Sequence, residues 1–302
     1  MKILITGATG FIGSALTSLL LSKGYCVHYV TTSEKKIIKE ENYKGFLWNP
    51  EKNEIDLKCF DEVEAIVNLA GHTINCKWTT ENKKAILESR IKSSDTLFNA
   101  LQNLNHKVKY SINASAIGIY ASSYLNLYDE NNIHFGDDFL ADVCKQWEKA
   151  NKRFESLGIK TSIVRLGLVL SKNEGVLNEL SKVVSKGFGA CLGNGKQWMS
   201  WIHKDDVVHS ITFLLEENLE GTFNLVAPRP VIQKEFLELL SKKLNKKLWL
   251  PNVPEFVLKT VLGERSALVL SSQHVTSSKL ENQNYHFLFP GLENALNDFY
   301  KK

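Results

Sequence analysis

Apolar residues in the first half of this chain come in short continuous runs, and longer stretches with helical spacing lie between them. The runs at 2–5, 26–30, 65–69, 110–114 and 161–165 predict strands buried on both faces. The spacing over 11–23, 80–104 and 137–157 predicts helices, the last stopping at Gly158. This alternation predicts an α/β fold built on a doubly wound parallel sheet, with a ligand at the carboxyl ends of its strands. After Arg165 the pattern loosens. Residues 187–189 and 192–195 read as loops, 205–217 as a helix, and 222–226 as a strand returning to the main sheet. The expected division is a nucleotide-binding domain over 1–170, with 204–227 returning to it, and a smaller discontinuous lobe from 171–203 and 228–302.

Gly7, Gly10 and Gly13 sit where the first strand gives way to the first helix. Strand, glycine turn and helix start in that order make a Rossmann-type cradle for a dinucleotide pyrophosphate. The glycines let the backbone approach the phosphates, and the helix N-terminus offers free N–H groups. Gly7, Thr9, Gly10, Phe11, Ile12 and Gly13 are the cofactor residues this predicts. An NAD-type site needs a carboxylate at the end of the second strand. Thr31, Thr32 and Ser33 stand there instead, with Lys35 and Lys36 behind them. Short hydroxyls and positive charge suit a 2′-phosphate, so NADP(H) is expected in preference to NAD(H).

The segment Thr6-Gly-Ala-Thr-Gly-Phe-Ile-Gly13 resembles the extended short-chain dehydrogenase/reductase group. Asn68-Leu-Ala-Gly71, and Ser115 with Tyr120, match it further downstream. Lys77-Trp-Thr79, Ser89-Arg-Ile91, Leu140–Glu148 and Gly193–His203 are similar to the atypical branch of the epimerase family, which carries a small C-terminal region of uncharacterised role from about Leu250. The resemblance covers nearly all 302 residues. It implies that Leu69, Ala70 and Gly71 also line the cofactor site. It implies an oxidoreductase or epimerase working by hydride transfer on a small oxygenated, anionic substrate. A non-catalytic NADP(H)-binding regulator with a division-related role is the alternative.

The proton-transfer chemistry of that group departs from pattern. A tyrosine four residues before a lysine on one helix presents both side chains on one face, and the lysine lowers the tyrosine's pKa. None of the nine tyrosines here has a lysine at that spacing. Aligned through Glu148, the two slots fall on Leu140 and Cys144. Cys144 reads either as a reactive thiol or as a small hydrophobe. Ser115, Tyr120 and Arg90 remain as catalytic candidates, Ser115 to hold a substrate oxygen and Arg90 as a fork for an anion. Lys77, Trp78, Arg165 and His203 are candidates for the substrate side, with an ion pair the alternative for Arg90, a helix cap for Arg165 and a loop anchor for His203.

A hydrophobic content of 43% over 302 residues supports a sizeable core. The net charge of +4 is too small to point to nucleic acid. No run is long and apolar enough for a membrane span, no leader is expected ahead of the first strand, and neither nucleic acid nor membrane is an expected partner. Five scattered cysteines and no metal-ligand spacing fit reduced thiols in a cytoplasm.

Overall fold

The computed structural model describes residues 1–132 and 134–301. Its main sheet has eight strands: β1 (Lys2–Thr6), β2 (Cys26–Thr31), β3 (Tyr43–Asn49), β4 (Glu54–Ile55), β5 (Ala65–Asn68), β6 (Tyr110–Ala116), β8 (Lys160–Leu166) and β12 (Gly221–Leu225). They lie in the order β12-β8-β6-β5-β1-β2-β3-β4. From β1 the chain winds outward through β2 and β3, then crosses to β5, β6 and β8. The strand order therefore reverses between β1 and β5, where ligands of such sheets bind. Thr6 stands beside Val30 on one neighbour and Asn68 on the other, so the carboxyl ends of three strands meet at one level.

The central strands form because their apolar residues are buried from both sides. Ile3, Leu4, Ile5, Ile66, Val67 and Ile112 are fully enclosed. The edge strand β3 and its short antiparallel partner β4 escape a pattern-based reading, because β3 alternates buried and exposed positions and ends in a polar turn. Helices α1 (Phe11–Ser22), α2 (Thr80–Gln102) and α3 (Phe139–Lys152) follow β1, β5 and β6. Thr79 caps α2 by accepting the Asn82 N–H. The helix expected over 137–157 is α3 followed by a tighter turn, Arg153–Leu157, which Gly158 closes at φ +73°.

The chain forms two compact units, Met1–Ala116 with Asp142–Arg165 and Val208–Phe223, and Ile117–Ala141 with Leu166–Val207 and Asn224–Lys302. The first has its core in Leu4, Phe60, Ile66, Leu97, Phe154 and their neighbours. The second holds three small strand pairs: β7 (Leu127–Tyr128) with β14 (His274–Val275), β9 (Leu168–Leu170) with β11 (Trp201–His203), and β10 (Trp198–Met199) with β13 (Val231–Ile232). Its helices include α4 (Gly175–Ser185), α6 (Gln233–Lys243), α7 (Glu255–Leu262) and α10 (Leu292–Phe299). They enclose Leu177, Val184, Trp201, Phe236 and Leu240. α5 (Lys204–Glu217) and β12 carry the chain back to the main sheet, as the sequence pattern suggests. The division differs from the expected one chiefly in 117–141, and also in 166–170, 204–207 and 224–227, all of which belong to the second unit. Within 117–141, strand β7 pairs with β14, and Tyr120 bonds to Asn224.

Candidate functional site

The three glycines of the first turn are glycine for three different reasons. Gly7 has φ +69°, and a Cβ there would meet Leu69 O at 3.0 Å. A Cβ on Gly13 would fall 2.1 Å from Gly7 O, so that glycine lets α1 start directly on the turn. Gly10 has ordinary extended backbone, and its Cβ would meet only Gly7 O, at 3.2 Å. Internal packing crowds a Cβ at Gly10 only through that one carbonyl, far less than at Gly13, and a bound phosphate would take the space on its open side. Gly10 is also the N-cap of α1, with no side-chain cap and no acidic residue in the first turn. An open, uncapped helix N-terminus behind a glycine suits a pyrophosphate. Thr9, Phe11 and Ile12 complete this turn, with Thr9 exposed and the other two half-buried.

A buried polar network fixes the facing wall. Thr6 Oγ1 donates to Asn68 Oδ1 at 2.7 Å and accepts the N–H groups of Leu69 and Ala70, both at 3.1 Å. Asn68 reaches Ser94 and Asn151, and Ser93 donates to Asn68 Oδ1. Ser94 Oγ donates to Asn151 Oδ1 at 2.6 Å. All five polar side chains are buried. The sequence places Asn68 within a motif, but nothing in it couples Thr6, Ser93, Ser94 and Asn151, which come from three other elements.

Arg90 closes this wall from α2. Its Nη1 donates to His72 O at 3.1 Å and to Ile86 O at 2.7 Å, and its Cζ lies 4.9 Å from the Trp147 ring centroid. A Cβ on Gly71 would meet Arg90 Cζ at 3.1 Å, so Gly71 is the residue that leaves room for the fork. Among the described residues no carboxylate pairs with Arg90, and burial lowers its pKa. The guanidinium is thus a half-buried cation held by carbonyls beside the loop after β5. Lys77 is exposed in that loop, and Trp78 Nε1 donates to Ile74 O at 3.1 Å.

At the end of β2 the three hydroxyls separate. Thr31 is buried and accepts the Ser33 N–H, while Thr32 is exposed and Ser33 half-buried. Lys35 and Lys36 are exposed on the short turn Glu34–Lys36. Tyr29 Oη donates to Lys36 O at 2.5 Å and accepts the Ile38 N–H at 2.8 Å, which folds this turn back toward β2. A described cavity of about 430 Å³ lies elsewhere, along Glu155, Gly158–Thr161, Glu220 and Gly221. That is at the amino ends of β8 and β12, the wrong edge of the sheet for this ligand class.

Ser115 and Arg165 do not stand free. Ser115 Oγ donates to Glu148 Oε1 at 2.7 Å, and Arg165 donates to both oxygens of Glu148 at 2.8 and 2.9 Å. All three side chains are buried. Cys144 lies alongside. Burial, with the nearby Glu148 charge, pushes its thiol up to about 12. At neutral pH it is a packed, protonated thiol.

Tyr120 and His203 belong to the second unit and serve its fold. The Tyr120 ring is buried and stacks on Tyr128, and its hydroxyl lies 2.9 Å from both Asp129 O and Asn224 Oδ1. The His203 ring stacks between Phe289 and Phe299, at 4.0 and 4.2 Å. Its Nδ1 accepts the Asp205 N–H, which places the proton of the neutral ring on Nε2, 3.6 Å from Asp298. His203, Asp205 and Asp298 bring ligating atoms within 4.8 Å, but the Nδ1 lone pair is already spent on the backbone.

Comparison with known proteins gives the family of the chain. Residues 3–225 match the NAD dependent epimerase/dehydratase family, and 253–299 match a domain of unknown function, DUF1731. The chain belongs to that epimerase family. An epimerase family protein of Staphylococcus epidermidis is 34% identical over 307 residues, covering 99% of each chain. The crystal structure of human epimerase family protein SDR39U1 with NADPH superposes with a TM-score of 0.87 at 28% identity, covering 100% of this chain and 99% of that one. The UDP-glucuronic acid 4-epimerase of Bacillus cereus, solved with UDP-glucuronic acid and NAD, shares the fold at a TM-score of 0.78 and 18% identity, covering 100% of this chain and 99% of that one. Like those structures, this family member carries a large parallel Rossmann-like sheet, here of eight strands.

Proposed function

We propose that this epimerase-family chain binds NADP(H) in the Gly7–Gly13 turn and uses it in hydride transfer with a small oxygenated, anionic substrate. The observation that carries the reading is Gly10, which stands without a side chain at the uncapped start of α1, with Gly7 O the one atom a Cβ there would crowd. Bound there, the cofactor supplies a hydride donor or acceptor. The residues of this chain hold it. The α1 amides face the pyrophosphate, and Thr32 and Ser33 with Lys35 and Lys36 meet the 2′-phosphate. NADPH in the human relative supports this choice, while the other neighbour holds NAD.

Arg90 was expected on the substrate side. Its contact with Gly71, one residue beyond the Leu69–Ala70 wall of the glycine turn, supports a role toward the cofactor's phosphates instead. A half-buried cation without a carboxylate partner is costly unless an anion arrives. Lys77 and Trp78, in the following loop, remain the substrate-side candidates. Calorimetry of NADPH and NADH with the wild type and Gly10→Val tests the reading. Tight NADPH binding lost in the variant is the expected result, and equal binding by both proteins overturns it.

A non-catalytic regulator is the second reading, favoured by Leu140 and Cys144 in the places of a proton-transfer pair. Hydride transfer then needs a proton from water or substrate. Steady NADPH oxidation with any member of a carbonyl library decides for the enzyme. Bound cofactor without turnover decides for the regulator.

A further inference from the structure

Two segments of the second unit carry a chemistry that the cofactor reading does not use. Residues 180–189 and 239–252 hold six lysines (Lys182, Lys186, Lys242, Lys243, Lys246 and Lys247) and no acidic residue. Each follows or ends a helix. Lys186 is the C-cap of α4, and Asn245, at φ +54°, turns the chain out of the end of α6. The two segments form one ridge. Trp249 Nε1 donates to Gly187 O at 3.1 Å, and a Cβ on Gly189 would lie 2.7 Å from Leu248 Cδ2 and 3.1 Å from Val184 Cγ2. Leu248 and Val184 anchor the ridge in the core.

Three apolar side chains nevertheless point outward: Trp249 is 69% exposed, Phe188 61% and Val183 47%. Folding gains nothing from leaving an indole and a phenyl ring of one ridge in water. Among the described residues Lys186, Lys242, Lys246 and Lys247 make no ion pair, while Lys182 meets Glu179 and Lys243 donates to Asn297. The negative ends of two helices account for part of this charge, but not for the rings between the lysines. The indole N–H of Trp249 is spent on its own backbone, so the ring offers a partner only hydrocarbon.

We propose that this Lys-rich ridge docks the protein on an anionic lipid surface, with Trp249, Phe188 and Val183 entering the headgroup boundary and the lysines meeting lipid phosphates. Aromatic and aliphatic tips ringed by lysine are the pattern of interfacial binding, where buried apolar area and attraction to anionic lipid act together. The docking is peripheral, since among the described residues no helix is long and apolar enough to cross a membrane. It is also independent of the cofactor reading.

The test is sedimentation of the full chain with phosphatidylcholine vesicles, with and without phosphatidylglycerol. Binding is expected only to the anionic vesicles and should weaken as salt rises. Lys246→Glu with Lys247→Glu should lower that affinity by about tenfold or more. Trp249→Ser with Phe188→Ser should abolish it while circular dichroism and NADPH binding stay as in wild type. Trp249→Phe should keep vesicle binding but lose the blue shift of tryptophan fluorescence. Absence of wild-type binding, or binding unchanged in both double variants, overturns the proposal. So does a concentration-dependent dimer that the Ser variants dissolve with no vesicle binding, which would make a second copy the occupant, or binding to an acidic protein or nucleic acid but not to vesicles.

Discussion

Ser115 Oγ donates a 2.7 Å hydrogen bond to Glu148 Oε1, and the same carboxylate is gripped by two N–H groups of Arg165. This Ser–Glu–Arg cluster sits at the end of β6, with Cys144 alongside. A hydroxyl that sequence alone assigns to a substrate oxygen is here part of a buried ion pair. Removing one partner of such a pair leaves an uncompensated charge in the core. Glu148→Ala should therefore cost about 3–5 kcal/mol of stability, and Ser115→Ala only about 1–2. Thermal unfolding of both variants checks the order, and a Glu148 variant as stable as wild type would contradict it.

Gly10 and Gly13 should respond in opposite ways. Gly10→Val should fold normally and lose NADPH, since its side chain meets little but Gly7 O. Gly13→Ala should fold poorly, because its Cβ falls 2.1 Å from a backbone carbonyl. Circular dichroism with cofactor titration separates the two.

The proposed preference for NADP(H) sets Thr32, exposed at the end of β2, against the 2′-phosphate. Wild type should bind NADPH more tightly than NADH, with a gap that narrows in salt. Thr32→Asp should reverse the order by setting a like charge against the 2′-phosphate. Calorimetry at low salt measures both, and a variant that still prefers NADPH would remove Thr32 from the site.

Arg90→Ala should weaken NADPH binding by about 1.5–3 kcal/mol, the worth of a hydrogen bond to a charged group. Arg90→Lys should recover part of it, as a point charge without the fork. Unchanged cofactor affinity in Arg90→Ala returns the residue to the substrate side.

Acid should destabilise the fold from near neutrality. Burial lowers the pKa of His203 against the pull of Asp205 and Asp298, and lowers those of His28 and His274. Below about pH 6.5 the unfolded chain takes up protons that the folded one resists, so stability falls as pH drops through that window. Thermal midpoints that stay level between about pH 7.5 and 5.5 would count against buried, neutral rings.

Sequence by itself determined the sheet and the glycine turn after its first strand. Short apolar runs and the glycines at 7, 10 and 13 are local signals: a strand buried on both faces must be apolar, and a turn against a phosphate must lack side chains. For the same reason the loss of the tyrosine–lysine pair was legible, since i, i+4 spacing on a helix is local. The edge strands β3 and β4 were not legible, because half-exposed strands carry a weaker pattern.

The partners of the polar residues were decided by tertiary structure alone. Ser115 and Glu148 are 33 positions apart, Arg90 and Gly71 meet across a loop, and Tyr120 bonds to Asn224 at a separation of 104. A buried polar group must find a partner wherever the fold brings one. An arginine or serine reads the same in sequence whether it faces a ligand or closes an internal pair, and only the packing of distant segments separates the two.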